Sequence, residues 1–325
     1  MTDTRRSIVE LLEGGPVSGP AIADRLDVTR AAVWKHVEAL RAVGFEIEST
    51  PGGYRLGSVP EYGSAVAIEA GLSAPYRIEY HDTIDSTNAR ARDLAENGRA
   101  NVVVAADEQT GGRGRLDRSW VSPSGGIWLS IVCRPDRPPS HAPLYTLAAA
   151  VAVTRAVRSL GVDATIKWPN DVIVESPPDD EREGLPSAAD RGGSKLCGVL
   201  TETRGEADRI EWLIVGIGLN ANVDSADLPD GSSSLQSILG RAIDRGALVR
   251  SILESFDTGT DDLEAVLDEW RTLSATIGSR VRIRTADGTI EGTAIDVTHP
   301  GALVVETDRG TETVHAGDCE HLRPE

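Results

Sequence analysis

Four short segments, met in one order along the chain, constrain it more than any other feature: Gln109-Thr-Gly-Gly-Arg-Gly-Arg115, Lys167-Trp-Pro-Asn-Asp171, Lys195-Leu-Cys-Gly198 and Gly216-Ile-Gly-Leu-Asn220. Glycines let backbone N–H groups come close to a carboxylate or phosphate, and interleaved cations offset the charge of a triphosphate. Together the segments describe a site for a small acid plus a nucleotide. The chain has three lysines, Lys35, Lys167 and Lys195, among 33 basic residues. Two of the three fall inside these segments, where a compact point charge has a use that a planar guanidinium does not serve.

Taken singly, each segment has a bland reading. The Gly-Arg-Gly-Arg run could be a solvated loop or an RGG-like nucleic-acid contact, and it lacks the GxxxxGK[ST] spacing of a Walker loop. In Lys167–Asp171, Pro169 stops a strand and turns Asn170 and Asp171 to its end, where an amide can hold a phosphate or base and a carboxylate can hold Mg²⁺. The alternative there is a polar turn with a core tryptophan. Gly216–Asn220 is the weakest, since strand-end glycines followed by Asn are common. All four in order are hard to explain by chance.

The surrounding pattern predicts a multidomain α+β protein. In residues 1–58, Ile8, Val9, Leu11 and Leu12 give one helical stripe and Ile22, Ala23 and Leu26 a second. Thr29 caps a third helix that buries Val33, Val37 and Leu40 and leaves Arg30, Trp34, Lys35 and Arg41 outward. Phe45 and Ile47, then Tyr54 and Leu56, alternate about Pro51-Gly52-Gly53 as a hairpin. Helix, helix-turn-helix and hairpin make a winged helix whose third helix, through Thr29, Arg30, Trp34 and Lys35, enters a DNA major groove. The alternative is a unit that only packs or dimerises. Seven Lys and Arg against eight Asp and Glu leave this unit at −1 in a chain of net charge −18, a near-neutrality that favours DNA.

Residues 59–75 read as an Ala- and Gly-rich connector and 76–272 as the main domain. There Ser86-Thr87-Asn88 opens a helix, with a hydroxyl suited either to capping or to a ligand. Val102–Ala106, Ile127–Val132, Thr165–Trp168, Lys195–Glu202 and Ile210–Gly216 read as strands, and Leu144–Leu160 as a long apolar helix, so strands and helices mix rather than alternate. Residues 175–194 carry six acids against two arginines without periodicity and read as a solvated acidic loop insertion. Residues 278–323 alternate through five strands with Gly turns, a small SH3-like barrel with no obvious chemistry of its own.

Composition excludes several classes. Apolar residues at 40% over 325 positions support a real core. The acidic, lysine-poor surface resembles that of salt-adapted proteins. Cys133, Cys197 and Cys319 lie far apart with no CxxC pair, and read as buried thiols of a reducing cytoplasm. No apolar leader and no run of transmembrane length occurs, so the expected place is the cytoplasm, without a membrane partner.

The chain closely resembles the bifunctional biotin–protein ligase and biotin-operon repressor family over essentially its whole length. The resemblance rests on Ser86-Thr87-Asn88, Gln109 with Gly112-Arg113-Gly114-Arg115, Trp120, Lys167–Asp171, Lys195–Gly198 and Gly216–Asn220. It departs in the acidic insertion, the acidic surface, and Cys197 where the family usually has a small apolar residue. The resemblance implies a winged helix, a mixed α/β ligase domain of class II synthetase type and an SH3-like barrel. It implies that biotin and ATP give biotinyl-5'-adenylate, from which a lysine on the biotin acceptor domain of an acyl-CoA carboxylase takes the biotinyl group.

By family match, Ser86, Thr87 and Gln109 bind the ureido head of biotin, with Asn88, Gly112, Gly114 and Gly198 also in the biotin site. Arg113, Arg115 and Lys195 neutralise carboxylate and phosphate. Lys167, Asn170, Asp171 and Asn220 lie near ATP, Asp171 near Mg²⁺, and Trp120 covers the adenylate. The implied partners are a double-stranded DNA operator and a second copy of the chain in a ligand-dependent homodimer. The rival readings are a lipoate ligase of the same central fold and a biotin-sensing transcription factor without catalysis. The winged helix and the full Gly-Arg-Gly-Arg loop favour biotin over lipoate, and Lys195 with Lys167–Asp171 favours catalysis.

Overall fold

The computed structural model describes residues 2–60, 62–175, 193–206 and 208–322. The acidic insertion read at 175–194 therefore lies almost wholly outside the described residues. Helices α1 (Thr2–Glu13), α2 (Gly19–Leu26) and α3 (Arg30–Ala42) precede the hairpin β1 (Ile47–Thr50) and β2 (Gly53–Leu56). Ser18 and Thr29 cap α2 and α3 by accepting from Ala21 and Ala32 N–H. Ile8, Leu12, Ile22, Val33, Val37, Leu40, Phe45 and Ile47 close one core. Gly53 has φ +120°, and a Cβ there would stand 2.2 Å from Val17 O, so only glycine lets the wing fold back on residue 17. Arg41 corrects the sequence reading. It does not look outward; it donates to Ile47 O at 2.8 Å and Ser49 Oγ at 3.1 Å, tying α3 to the wing.

The segment read as a connector contains a helix, α4 (Ala65–Glu69). Val66 and Ala67 join the core of the N-terminal unit while Ile68 joins the central core. Gly- and Ala-rich composition hid this, because four consecutive buried positions make too short a run to register a helical period.

The central unit then runs β3 (Arg77–Ile84), α5 (Thr87–Glu96), β4 (Val102–Gln109), β5 (Ile127–Cys133), α6 (Ala142–Ser159), β6 (Ala164–Lys167), β7 (Asp171–Val174), β8 (Ser194–Gly205) and β9 (Ile210–Leu219). Helices α7 (Leu235–Leu239), α8 (Arg245–Asp261) and α9 (Leu263–Leu273) complete it. The strand order is β3-β4-β5-β9-β8-β7-β6, parallel between β3 and β4 and antiparallel elsewhere. Period 2 sorts the two faces. Val103, Leu129, Ile131, Val215 and Ile217 bury against α6, α8 and α9, whereas Val104, Val132 and Ile214 bury under α5. On the α5 face the same alternation brings up Ser130, Gly216, Gly218 and Gly198 beyond the helix. Small residues there leave a hollow where a larger row would have filled a core.

Strands β10 (Arg280–Thr285), β11 (Gly288–Thr298), β12 (Ala302–Thr307), β13 (Gly310–Val314) and β14 (Asp318–His321) form an antiparallel sheet in the order β13-β12-β11-β10-β14, an SH3-like unit. Trp168 fastens it to the central sheet, its indole N–H donating to Gly301 O at 3.0 Å and its backbone N–H to Thr276 Oγ1 at 2.9 Å. With that lone pair occupied, the Thr276 hydroxyl has its proton free for His321 Nε2, 3.0 Å away. Burial, with Lys167 nearby, pushes the His321 imidazole down to about 4.

A pH dependence of stability follows from that shift. The unfolded imidazole takes up its proton from about pH 6.5 downward while the folded one stays neutral to about 4, so stability is full above 6.5 and declines as pH falls through this window. At pH 5 the loss from this group is about 2 kcal/mol. Unfolding free energies from urea titrations at pH 7 and pH 5 should differ less in His321→Gln than in wild type by about that amount; equal differences would show that His321 does not titrate as described.

Candidate functional site

The hollow on the α5 face deepens into a cavity of about 720 Å³ lined by all four segments and by the C-terminal unit. Its floor is a glycine cross-strand pair. Gly198 of β8 stands opposite Gly218 of β9, and Asp171 of β7 opposite Gly198. Trp120 lies across this floor: a Cβ on Gly218 would come within 2.6 Å of Trp120 Nε1, and one on Gly198 within 3.1 Å of the same ring. The Gly216–Asn220 segment is a strand end, as its sequence suggested, but β9 runs on past Gly216 to Leu219 before Asn220. Gly216, Ile217, Gly218 and Leu219 lie within β9, glycines on the cleft face and Ile217 and Leu219 in the core.

Lys167–Asp171 is a hairpin tip. Lys167 and Asp171 are cross-strand partners flanking Trp168-Pro169-Asn170. A register shift between Val172 and Ile173 accompanies the approach of Lys195 on the neighbouring strand, and a bulge of this kind re-aims a side chain. Lys195 Nζ sits 2.6 Å from Asp171 Oδ1 and 4.9 Å from the centre of the Trp120 ring, a cation–π arrangement. Burial depresses the Lys167 ammonium, opposed by Cys319 and Asp171 and reinforced by Lys195.

At the inner end, Ser86 caps α5 through Ala89 N–H, so the capping reading of that hydroxyl holds. Thr87 is free of the cap. Its N–H and hydroxyl face Gln109 Oε1 at 2.8 and 3.0 Å, and Gln109 Nε2 donates to Ser122 Oγ at 3.0 Å. The loop glycines are small for close packing rather than for unusual dihedrals: a Cβ on Gly111 would meet Asp85 Oδ1 at 2.1 Å and one on Gly112 would meet Trp120 O at 2.5 Å. Gly114 N–H donates to Arg118 O at 2.7 Å, and Arg113, opposite Ser119, is exposed at the rim.

Arg115 closes the outer end. It donates to Asn170 Oδ1 at 3.1 Å and to Gly317 O at 3.0 Å, while Arg118 pairs with Asp318. The C-terminal unit, read as chemically idle, therefore supplies a wall of the cleft with Arg284, Asp318 and Glu320. Asn220 is buried beside the floor, its Nδ2 donating to Ser233 O at 3.0 Å. Among the described residues, Trp120 Nε1 and Asn220 Oδ1 are buried without a hydrogen-bond partner, and both residues line the cleft.

Sequence reading missed Ser122 and Ser130, which carry no motif, and the stretch Leu228–Ser232, which lines the cleft where Lys195 N–H donates to Gly231 O at 2.8 Å. Only the strand register could have found Ser130, opposite Gly216. The DNA-face residues lie elsewhere. Arg30, Trp34 and Lys35 are exposed on α3, Trp34 to 59%, and Thr29 is its cap.

Comparison with known proteins gives one consistent result. Residues 80–220 match the biotin/lipoate A/B protein ligase family, residues 4–55 a helix-turn-helix domain and residues 276–322 the biotin protein ligase C-terminal domain. The bifunctional ligase/repressor BirA of Bacillus subtilis is 36% identical over 335 residues, spanning 97% of this chain and 98% of that protein. Its namesake in Escherichia coli is 29% identical over 315 residues, spanning 93% and 92%. Among solved structures, the biotin protein ligase from Aquifex aeolicus in complex with biotin and ATP superposes with a TM-score of 0.59 at 24% identity, over 76% of this chain and 99% of that one, a likeness of fold.

Proposed function

Since this chain belongs to the bifunctional biotin–protein ligase and repressor family, we propose that its cleft makes biotinyl-5'-adenylate from biotin and ATP and passes the biotinyl group to a lysine of a carboxylase carrier domain. One observation carries the assignment: Lys195, paired with Asp171 and lying over Trp120, shares a single cleft with the polar Thr87–Gln109 end. Adenylate formation needs positioning and charge stabilisation more than a protein nucleophile. On this reading Ser86, Thr87, Asn88 and Gln109 form the ureido end, with Gly114 and Gly198 admitting the ligand backbone-close and Gly112 holding the loop against Trp120 O. Lys195, Arg113 and Arg115 meet the carboxylate and α-phosphate, and Lys167, Asn170 and Asn220 the nucleotide. Trp120 Nε1 and Asn220 Oδ1 are buried groups that a bound ligand would satisfy.

Mg²⁺ arriving with ATP would offset triphosphate charge. Asp171 is the carboxylate placed to share it, and among the described residues no group of three or more His, Cys, Asp or Glu side chains gathers around a point. One carboxylate plus phosphate oxygens suits Mg²⁺, which keeps most of its shell as water and phosphate. Biotin-dependent exchange of pyrophosphate into ATP by the purified chain tests the assignment, with lipoate as the second substrate offered; exchange with lipoate alone would overturn it.

The helix-turn-helix unit binds DNA. Within it, Arg30, Trp34 and Lys35 form the base-facing side of α3, and Thr29 sits at the helix N-terminus where a phosphate contact is favourable. The working division is residues 1–58 for DNA, 76–272 for ligation and 278–323 for closing the nucleotide end. Among the described residues no helix is long and apolar enough to cross a membrane.

Arg115 joins the glycine loop to the hairpin tip and to the C-terminal unit. Arg115→Gly is expected to keep adenylation but to release adenylate early, because the loop loses both ties and no longer excludes water. Biotinylation of bystander proteins should rise at least about tenfold relative to the true acceptor, since two charge-assisted hydrogen bonds are lost and even one is worth about that factor. Unchanged acceptor selectivity would count against a closing loop.

A further inference from the structure

A chain of polar side chains runs from the surface to the inner end of the cleft, and its two ends differ chemically. At the outer end Arg92 pairs with Glu202, whose other oxygen accepts from Asn88 Nδ2 at 2.8 Å. At the inner end, the fully buried Ser130 hydroxyl lies 2.6 Å from Asn88 Oδ1 and 2.8 Å from Thr87 Oγ1. Thr87 in turn faces Gln109 Oε1.

Proton count gives this chain a direction. An ionised carboxylate accepts and never donates, so Glu202 holds the Asn88 amide with Nδ2 toward itself and Oδ1 toward Ser130. Asn88 Oδ1 then takes the single Ser130 proton at the shorter of the two Ser130 contacts. Ser130 has only lone pairs left for Thr87, and the Thr87 proton is directed inward, to Ser130 or to Gln109 Oε1. Gln109 is oriented from its other end, since its Nε2 donates to Ser122, whose own proton goes to Trp120 O at 3.2 Å. What Thr87 and Gln109 turn toward the cleft is therefore acceptor lone pairs.

We propose that Glu202 is a positioning residue that sets the direction of every hydrogen bond from Asn88 to Thr87, and so makes the inner end of the cleft an acceptor site for a ligand carrying N–H donors, as a cyclic urea does. The proposal rests on reading the cleft as a biotin site. Glu202 touches no ligand in it; it acts through Asn88 and Ser130, 24% exposed at the far side of α5. With a neutral amide at position 202, either end of Asn88 can face outward. In a reversed chain Ser130 donates to Thr87 and takes up one of its lone pairs, and the Thr87 proton goes to Gln109 Oε1, which already accepts from Thr87 N–H, so the inner end loses acceptor lone pairs for a ligand N–H.

Steady-state pyrophosphate exchange on the full chain, with thermal melting of each variant, tests this. Glu202→Gln should raise the biotin KM about tenfold, the cost of one mismatched buried hydrogen bond, with kcat and the ATP KM within about twofold. Asn88→Asp alone, which sets two carboxylates face to face, should be worse. The double variant should recover most of the biotin KM, because the new amide at position 202 can donate to the new carboxylate at position 88, whose other oxygen still accepts from Ser130.

A purely structural role predicts losses that add instead. Unchanged biotin KM in Glu202→Gln, or a double variant no better than the worse single, overturns the proposal. If Asn88→Asp does not fold, Glu202→Asp decides: its carboxylate keeps the acceptor character and should hold the biotin KM closer to wild type than Glu202→Gln does, and the reverse order overturns the proposal. A wild-type chain without biotin-dependent exchange would overturn the reading of the cleft itself, and this proposal with it.

Discussion

Lys195→Ala is expected to lower biotin-dependent pyrophosphate exchange on the order of 10²–10³-fold while the protein still melts cooperatively, the usual cost of removing one donor aimed at developing charge. The ammonium is held from two sides, by Asp171 at 2.6 Å and by the face of Trp120. Both contacts are partly exposed, the Lys195 and Asp171 side chains at 31% and 25%, so the pair adds little to stability and its loss should be legible in kinetics rather than in melting. Because the cation meets charge in the reacting complex more than in the ground state, kcat should fall with kcat/KM. Lys195→Arg should rescue poorly, since a planar fork does not occupy the place of a point charge on an indole face. Exchange at near wild-type rates in Lys195→Ala would remove Lys195 from the reaction, and a rise in KM alone would reassign it to ground-state binding.

The parts of this site that were legible in the sequence are those where chemistry demands a rare residue. Lys167, Lys195 and the Gly-Arg-Gly-Arg run stood out because lysine is scarce and because glycine between cations has few structural uses. Helix caps Thr29 and Ser86 were legible because capping is a local rule that tertiary contacts seldom override. What escaped depends on register. Gly216 and Gly218 look like a strand end, and only their pairing with Ser130 and Gly198 explains why they are small. The wall from the C-terminal unit escaped for the same reason, since Gly317 and Asp318 meet Arg115 and Arg118 across about two hundred residues of sequence. The short helix α4 escaped because its two apolar faces serve two cores at once, which cancels the one-sided stripe a surface helix shows.

That helix also gives substance to the second large expectation, that biotinyl-adenylate should tighten operator binding by on the order of 10–100-fold, the range of ordinary coupling energies. Residues 1–58 carry −1 and the remaining chain −17, so a monomer brought to DNA meets repulsion from its own ligase half, and one winged helix reads one half-site. Two copies on an inverted repeat double the favourable contacts, and affinity therefore depends on whatever makes the dimer. A ligand can do so only through a difference in its affinity for the two states. Cleft and DNA unit are mechanically joined: α4 is shared between their cores, and Arg250 of α8 donates to Ala67 O at 3.1 Å. Sedimentation and DNA titration with and without adenylate, over a range of salt, measure both steps.

Lys35→Ala should weaken operator binding and reduce the salt slope by about one while biotinylation is kept, since Lys35 lies exposed on α3 and lines no part of the cleft. DNA affinity indifferent to adenylate, with the ligase active, would leave the helix-turn-helix unit bound to DNA but blind to biotin, because tight ligand binding that does not discriminate between monomer and dimer shifts neither.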